Sequence, residues 1–434
     1  MLNNLAQDLN TILKDTVAQA LFSNMGQRMY FPNGIIAQSS QAKTKATKAN
    51  GTIGMAVIHG TPAILSSIKK DIPHIDAESI VAYMPTAGNN DLRNQWREQM
   101  VKKNPLLASK HISLPVVVTG LTAGISYIIN LFCDETKPLL IPSPAWDNYA
   151  LIVETQANAE LHQFPLFDNN AFNIFAFEKH MREEAEKYGS VRLLLNFPQN
   201  PSGYSPTHEE AMQICQIVKS IAEQGAKLLI ICDDAYFGLN YEDSIEKQSL
   251  FAYLADIHEN VLAVKIDGPT KEDFVWGFRC GFLTFAGRQF TDAHYDALIK
   301  KVLGLIRSSV SCNSTLSQTL LMRAYADSEH HVQQAAFRKT LECRYRAVRN
   351  FVDTHSSRIL KPLPFNSGYF MSFYVDKIDA EELRNRLLSD KGIGTIAIDS
   401  NTLRVAFSSI DEDKIESVYS DIYETAEKME CTHQ

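Results

Sequence analysis

Short, largely apolar runs alternate with stretches of helical period through the middle of the chain. The runs are PVVV at 115–118, PLLI at 138–141, VRLLL at 191–195, KLLIIC at 227–232, VLAVKI at 261–266 and GFLTF at 281–285. Apolar runs of this length without a polar alternate face predict strands buried on both sides, as in a parallel sheet. Between them, EKHMREEAEKYG (178–189) and EEAMQICQIVKSIAEQG (209–225) carry a helical repeat. The second closes on Gly225, a residue suited to a helix C-terminus. Strands and helices in this alternation predict an α/β sheet with crossover helices. From about residue 330 the pattern changes to a long helix over 331–355, the run GYFMSFYV at 368–375, a helix over 379–389 and a last strand at LRVAFS, 403–408. These predict a separate α+β unit. The N-terminal MLNNLAQDLNTILKDTVAQALF spaces Asn, Gln, Asp and Lys through its apolar positions. It reads as an amphipathic helix, neither a signal peptide nor a membrane span.

Composition narrows the class. The chain has 434 residues, 45% hydrophobic and 21% charged, enough to bury a large core in more than one unit. The net charge of −8 offers no overall basic field for nucleic acid or anionic lipid, and Lys43, Lys45 and Lys48 form only a small solvated patch. The seven cysteines are odd in number, scattered and free of C-x-x-C. That pattern suits a reducing, cytoplasmic setting and argues against a disulfide framework or a structural zinc. Polar stretches at 39–50 and 241–249 are the only low-apolar patches, and no repeat of fixed period is present.

The candidate chemistry gathers where the strands end. PVVV and Thr119 run into Gly120-Leu121-Thr122; PLLI into PSPAW with Trp146; VRLLL into NFPQNPSG with Asn200; KLLIIC into Asp233, Asp234, Ala235 and Tyr236; VLAVKI into DGPTK with Lys271. In an open α/β sheet the carboxyl ends of the strands border the ligand crevice. Each residue alone has an ordinary structural reading, but five such ends on one edge point to a shared site. TGLTAG lacks G-x-G-x-x-G and the P-loop lysine, so neither a dinucleotide nor ATP is indicated. A glycine turn opening a helix still offers free N–H groups to one phosphate. An indole to stack on a flat ring, a carboxylate for a protonated ring nitrogen, Tyr and Asn for a ring hydroxylate and a lysine able to form a Schiff base meet the requirements of pyridoxal phosphate.

These segments, in this order and spacing, resemble the class I/II, fold type I pyridoxal-phosphate aminotransferases, the family of aspartate aminotransferase. The resemblance runs from about Asn50 to Phe407. It implies a large, mostly parallel sheet domain with helices on both faces (61–329) and a smaller α+β domain built from 1–60 and 330–434. It implies Asn200 and Tyr236 at the cofactor's O3′ and Asp233 at its pyridine nitrogen. Lys271 would form the Schiff base, with Arg279, eight residues on, at the phosphate. Gly120, Leu121, Thr122 and Thr270 would also hold the cofactor, with Trp146 stacked on its ring. Tyr83 would reach the phosphate of a neighbouring subunit in a homodimer, and Arg404 would clamp the substrate α-carboxylate beside Gly54. Arg307, in LGLIRSSVSCNST, matches the position at which dicarboxylate-specific members reach across the dimer to a distal carboxylate. The implied reaction moves an amino group between an L-amino acid, aspartate or glutamate, and a 2-oxo acid, with no metal.

Some positions depart from the family. Gly268 stands where a serine is frequent, so one phosphate hydrogen bond is absent or comes from Thr270. Glu272 and Asp273 follow the lysine directly; on a loop they are expected to face solvent. His208, His330 and His331 lack metal-ligand spacing and are expected at the surface. The cofactor residues alone leave open a lyase, decarboxylase or acyltransferase. They also leave a catalytically silent ligand sensor, against which Lys271 and the lack of a helix-turn-helix-sized extension before residue 50 both stand.

Overall fold

The six apolar runs of the middle region, with one further strand, form a seven-stranded sheet in a computed structural model of the chain. Residues 35–433 are described apart from Ile53, 71–73 and Ala77, together with residues 2–4, 7, 8 and 11. The amphipathic helix expected over 1–22 lies largely outside the described residues. The strands are β1 (Val116–Val118), β2 (Leu139–Ser143), β3 (Leu161–Pro165), β4 (Ser190–Asn196), β5 (Lys227–Asp233), β6 (Val261–Asp267) and β7 (Gly281–Gly287), in the spatial order β1-β7-β6-β5-β4-β2-β3. Successive side chains point to opposite faces. Leu193, Leu195, Ile230 and Cys232 therefore join one core layer, and Leu194, Leu229, Ile231 and Val264 the other. Helices Ile174–Tyr188 and His208–Glu223 cover the first face with Phe177, Met181, Ile214 and Val218. Helices Gly120–Phe132 and Asp292–Ser309 cover the second with Ile125, Ile128, Val302 and Ile306.

In this mostly parallel sheet one of the apolar runs read as parallel strands runs the other way. GFLTF forms β7, which is antiparallel to both β6 and β1. All seven of its residues are buried, so its apolar run is indistinguishable from that of a parallel strand. Only the connection differs, because residues 268–280 contain single helical turns and no crossover helix. The half-exposed edge strand β3, Leu-His-Gln-Phe-Pro, carried too little apolar signal to be anticipated.

A second, antiparallel sheet of four strands lies beyond the long helix. Its order is β8 (Leu360–Pro362), β9 (Phe370–Val375), β11 (Thr402–Ala406) and β10 (Ile396–Asp399). Residues 49–50 pair with 393–394, which ties the N-terminal segment to this unit. The helices used below are α1 (Ile35–Lys45), α2 (Ser66–Lys69), α3 (Asn90–Lys103), α4 (Gly120–Phe132), α5 (Ile174–Tyr188), α6 (His208–Glu223), α7 (Pro269–Glu272), α8 (Asp292–Ser309), α9 (Thr315–Ala326) and α10 (His330–Thr354).

Candidate active site

The turn after β4 is organised by Asn196, whose residue pairs with Asp233 across the ladder. The Asn196 side chain donates to the Asp233 carbonyl at 2.8 Å and accepts the Asn200 N–H at 2.8 Å. Gly203 completes the turn at φ 80°, and a Cβ there would lie 1.9 Å from the Phe370 carbonyl oxygen. Glycine is thus required both by the backbone angle and by the close approach of β9. The result aims Asn200 at the small sheet, where its Oδ1 accepts from the Arg404 guanidinium at 2.9 Å.

Asp233 ends β5, buried. Tyr149 donates to its Oδ2 at 2.6 Å. Burial raises its carboxyl to about 6, against the lowering pull of the Tyr149 hydroxyl, Lys271 and the Ala235 N–H. The carboxylate is therefore mostly ionised at neutral pH. Lys271 lies on the single-turn helix α7, and its amine sits 4.9 Å from the centre of the Tyr236 ring. Burial lowers this amine to about 8, with Asp233 opposing and Arg279 assisting. Desolvation outweighs the nearby carboxylate, so about one-tenth of the amine is neutral at pH 7.

An anion cradle closes the other end. Thr119 does not cap α4 through its side chain; its hydroxyl donates to Asn313 at 2.6 Å instead. The first N–H groups of α4 and the dipole behind them therefore face the cavity uncapped by the chain's own hydroxyl. Arg279, held at φ 48°, lies against them. A Cβ on Gly120, itself at φ 75°, would meet the Arg279 guanidinium at 2.3 Å. A Cβ on Gly268 would come within 3.0 Å of Gly281 Cα and 3.1 Å of the Cys280 carbonyl, so the frequent serine would press on this backbone. Thr270 lines the same wall, with its hydroxyl 3.4 Å from that carbonyl.

Arg404 comes from β11 and is 3% exposed. Its guanidinium stacks 4.3 Å above the Phe370 ring and also reaches the Thr52 carbonyl at 3.4 Å, while its Nε has no hydrogen-bond partner among the described residues. Burial lowers its pKa to about 10, against Tyr236 and Asp147. A buried cation with an unused donor is costly unless an anion completes it.

The structure brings Gly54, Leu121, Thr122, Trp146, Asn200, Asp233, Tyr236, Thr270, Lys271, Arg279 and Arg404 to one cavity of about 450 Å³, with Gly120 against Arg279 at its edge. Tyr83 and Arg307 are not among them. Tyr83 is 92% exposed, and Arg307 sits exposed on the last turn of α8, 3.4 Å from the Ser311 hydroxyl. Tyr149, Asn196, Thr52 and Phe370 also line the cavity and escaped the sequence reading. Tyr149 follows Trp146 by three residues in AWDNY, a spacing that places both on one face, and their rings meet edge to face at 5.4 Å.

Three expectations of surface position are corrected. Asp273 is 2% exposed and His330 1%, and the two are hydrogen-bonded to each other at 3.1 Å. Glu272 pairs with Lys103 at 2.6 Å, its side chain 16% exposed. Helix α7 packs against α3, α9 and α10 through these groups, and a carboxylate so enclosed requires the partners it finds. Neither carboxylate bears on the Lys271 amine, which answers to Asp233 and Arg279. Among the described residues, no group of three His, Cys, Asp or Glu side chains could hold a metal ion, and no helix is long and apolar enough to cross a membrane.

Comparison with known proteins gives a consistent result. The sequence model of the family described as aminotransferase class I and II matches residues 58–422. The chain is 23% identical to a probable N-acetyl-LL-diaminopimelate aminotransferase of Bacillus subtilis, over 80% of this chain and 79% of that protein. It is 22% identical to an aspartate aminotransferase of the same organism, over 62% and 63%. Among solved structures, an aminotransferase from Anaerococcus prevotii superposes with a TM-score of 0.84 at 21% identity, covering 94% of this chain and 99% of that one. The Thermus thermophilus aspartate aminotransferase double mutant gives 0.73 at 17% identity, covering 93% and 99%. At these identities the structural likeness speaks to the fold.

Proposed function

Because the chain belongs to the class I and II aminotransferases, and so is a pyridoxal-phosphate-dependent enzyme, we propose that it moves an amino group between aspartate or glutamate and a 2-oxo acid at the cavity holding Lys271. The residues present suit the cofactor. The uncapped end of α4 and Arg279 offer donors to a phosphate, Asp233 offers a buried carboxylate to a ring nitrogen, and the cavity is large enough for a flat ring beside Trp146. In this reading Gly120, Leu121, Thr122, Thr270 and Arg279 hold the phosphate, Asn200 and Tyr236 the ring hydroxylate, and Asp233 the ring nitrogen. Bound pyridoxal phosphate supplies an aldehyde for amines and a ring that takes up the electron pair released at the substrate Cα.

The chain's own residues do the rest. Arg404 binds the α-carboxylate; its unpartnered Nε, in a guanidinium buried at the cavity wall, is the observation that carries the reading. A bidentate fork fixes the orientation of the substrate Cα, with Asn200 bracing the guanidinium from the other side. Lys271, partly neutral, takes the proton from that Cα and delivers it as a general base and acid already in place. Asp233 keeps its charge beside the Tyr149 hydroxyl.

Substrate and assembly belong to the same proposal. The protein acts as a cytoplasmic homodimer in which Tyr83 and Arg307 serve the partner's cavity. Their exposure in one chain and the family's relatives named aspartate aminotransferases support this, and the seven free cysteines suit a reducing compartment. The division into a large unit, 61–329, and a small unit of 1–60 with 330–434 is supported by the two sheets. The test is a half-reaction screen in which single amino acids are mixed with holoenzyme and the cofactor absorbance is followed. Aspartate or glutamate should convert it fastest. Arg307→Ala should lower kcat/KM for aspartate by about 30-fold or more, the scale of a broken buried charge pair, and leave alanine almost unchanged. Equal loss for every donor removes Arg307 from the substrate pocket.

A further inference from the structure

The carboxylates that follow Lys271 form a network on the side of α7 away from the cavity. Asp273 accepts hydrogen bonds from Tyr325 of α9 at 2.7 Å, from Gln334 of α10 at 2.8 Å and from His330, the first residue of α10, at 3.1 Å. The other ring nitrogen of His330 meets the Ser67 hydroxyl of α2 at 3.1 Å, and Gln334 also donates to the Glu272 carbonyl at 3.2 Å. Lys103 of α3 holds Glu272. The backbone around this anchor is strained. Phe274 takes φ 59° immediately after Asp273, and Arg279 takes φ 48°. Non-glycine residues in the left-handed region cost about 1–3 kcal/mol each and persist only where surrounding contacts enforce them. Beyond these partners the lysine turn is held by the Asp273 N–H on the Pro269 carbonyl, the Val275 N–H on the Thr270 carbonyl, the Thr270 hydroxyl on the Cys280 carbonyl and the Tyr369 hydroxyl on the Lys271 carbonyl at 3.1 Å.

We propose that Asp273 is a positioning residue for Lys271: by gathering Tyr325, His330 and Gln334 it fixes the lysine turn to the root of α10, the helix that leads into the small sheet carrying Arg404. The inference rests on Lys271 being the reacting amine. The amine stands on α7, which follows β6 of the large sheet, the guanidinium on β11 of the small sheet, and α10 leads into that small sheet. Tying the turn to the base of that helix sets the distance between them. Of the groups near α7, Asp233, Arg279 and Tyr236 face the amine, while Glu272, Lys103, His330, Tyr325 and Asp267 stand behind the turn.

Holoenzymes carrying Asp273→Ala and Tyr325→Phe test this by three measurements. These are kcat and KM for the amino donor, hydrogen exchange across residues 268–279, and the pH midpoint of the bound cofactor's visible band. Asp273→Ala should lower kcat by about 10- to 100-fold, the scale of a misplacement near 1 Å, with KM within about threefold. It should also speed exchange across the turn and shift the pH midpoint. Tyr325→Phe removes one donor without changing charge, and should move all three in the same direction by less. If folded variants keep the wild-type midpoint and exchange, the proposal fails even where the melting temperature drops. Should Asp273→Ala not fold, Tyr325→Phe decides on the same readouts. A wild-type holoenzyme with no visible band would overturn the reading of Lys271 itself, a separate outcome.

Discussion

Lys265 and Lys271 lie six residues apart, and their surroundings drive them in opposite directions. Lys265, in the middle of β6, has no exposed surface. Burial pulls its amine down, but Asp234 and Asp267 overturn this and hold it above the ordinary lysine range. It pairs closely with Asp234 and lies 3.3 Å from Asp267, which is itself bonded by the Trp96 indole at 3.0 Å. Lys271 borders the cavity with one carboxylate, Asp233, already engaged by Tyr149, and with a guanidinium on the same side; it is lowered to about 8. The number of carboxylates within ion-pair reach, two for Lys265, rather than depth alone, decides which buried lysine is a fixed cation and which can be a nucleophile.

Removing each amine breaks the comparison most directly. Lys271→Ala should cut turnover by about 10⁴-fold or more, since both covalent attachment and proton transfer leave with it, while the urea midpoint of the protein stays close to wild type. Lys265→Met should do the reverse. Asp234 and Asp267 would be left buried without their cation, costing about 3–5 kcal/mol of stability in urea denaturation, whereas the visible band of the folded holoenzyme persists. A loss of the band in Lys265→Met with unchanged stability would mean the two lysines had been assigned to the wrong roles.

The smallest effect is the sharpest in sign. An amine that titrates near 8 is about one-tenth neutral at pH 7 and half neutral at pH 8, so the rate at which apoenzyme captures pyridoxal phosphate should rise roughly fivefold between those values and level off above them. The same lowered value makes the unfolded chain hold a proton that the folded chain lacks between pH 8 and the ordinary lysine range. This group's contribution to stability therefore increases with pH across that window. Lys265, being raised, adds no change there. A capture rate that keeps climbing to pH 10 would place the Lys271 amine at its ordinary value.

Much of this was legible in the chain because both-face burial writes continuous apolar runs and because turn residues sit where those runs stop. The cavity residues at the ends of β1, β2, β4, β5 and β6 were found for that reason. The direction of β7 was not legible, since its side chains meet the same apolar surroundings whichever way it runs. The Asp273 network was invisible for another reason. His330 lies 57 residues away, and a carboxylate next to a lysine carries no mark of the helix it will meet. Tyr149 was overlooked because a tyrosine on a short helix reads as core until its hydroxyl is seen on Asp233.

Gly120 packs directly against Arg279. With only 2.3 Å between a notional methyl at 120 and the guanidinium, and with a backbone angle that disfavours side chains, the two positions cannot drift independently. A side chain at 120 would strain the backbone at φ 75° and push the flexible end of Arg279 aside. Gly120 thus serves two ends at once, the left-handed start of α4 and the resting place of the Arg279 guanidinium.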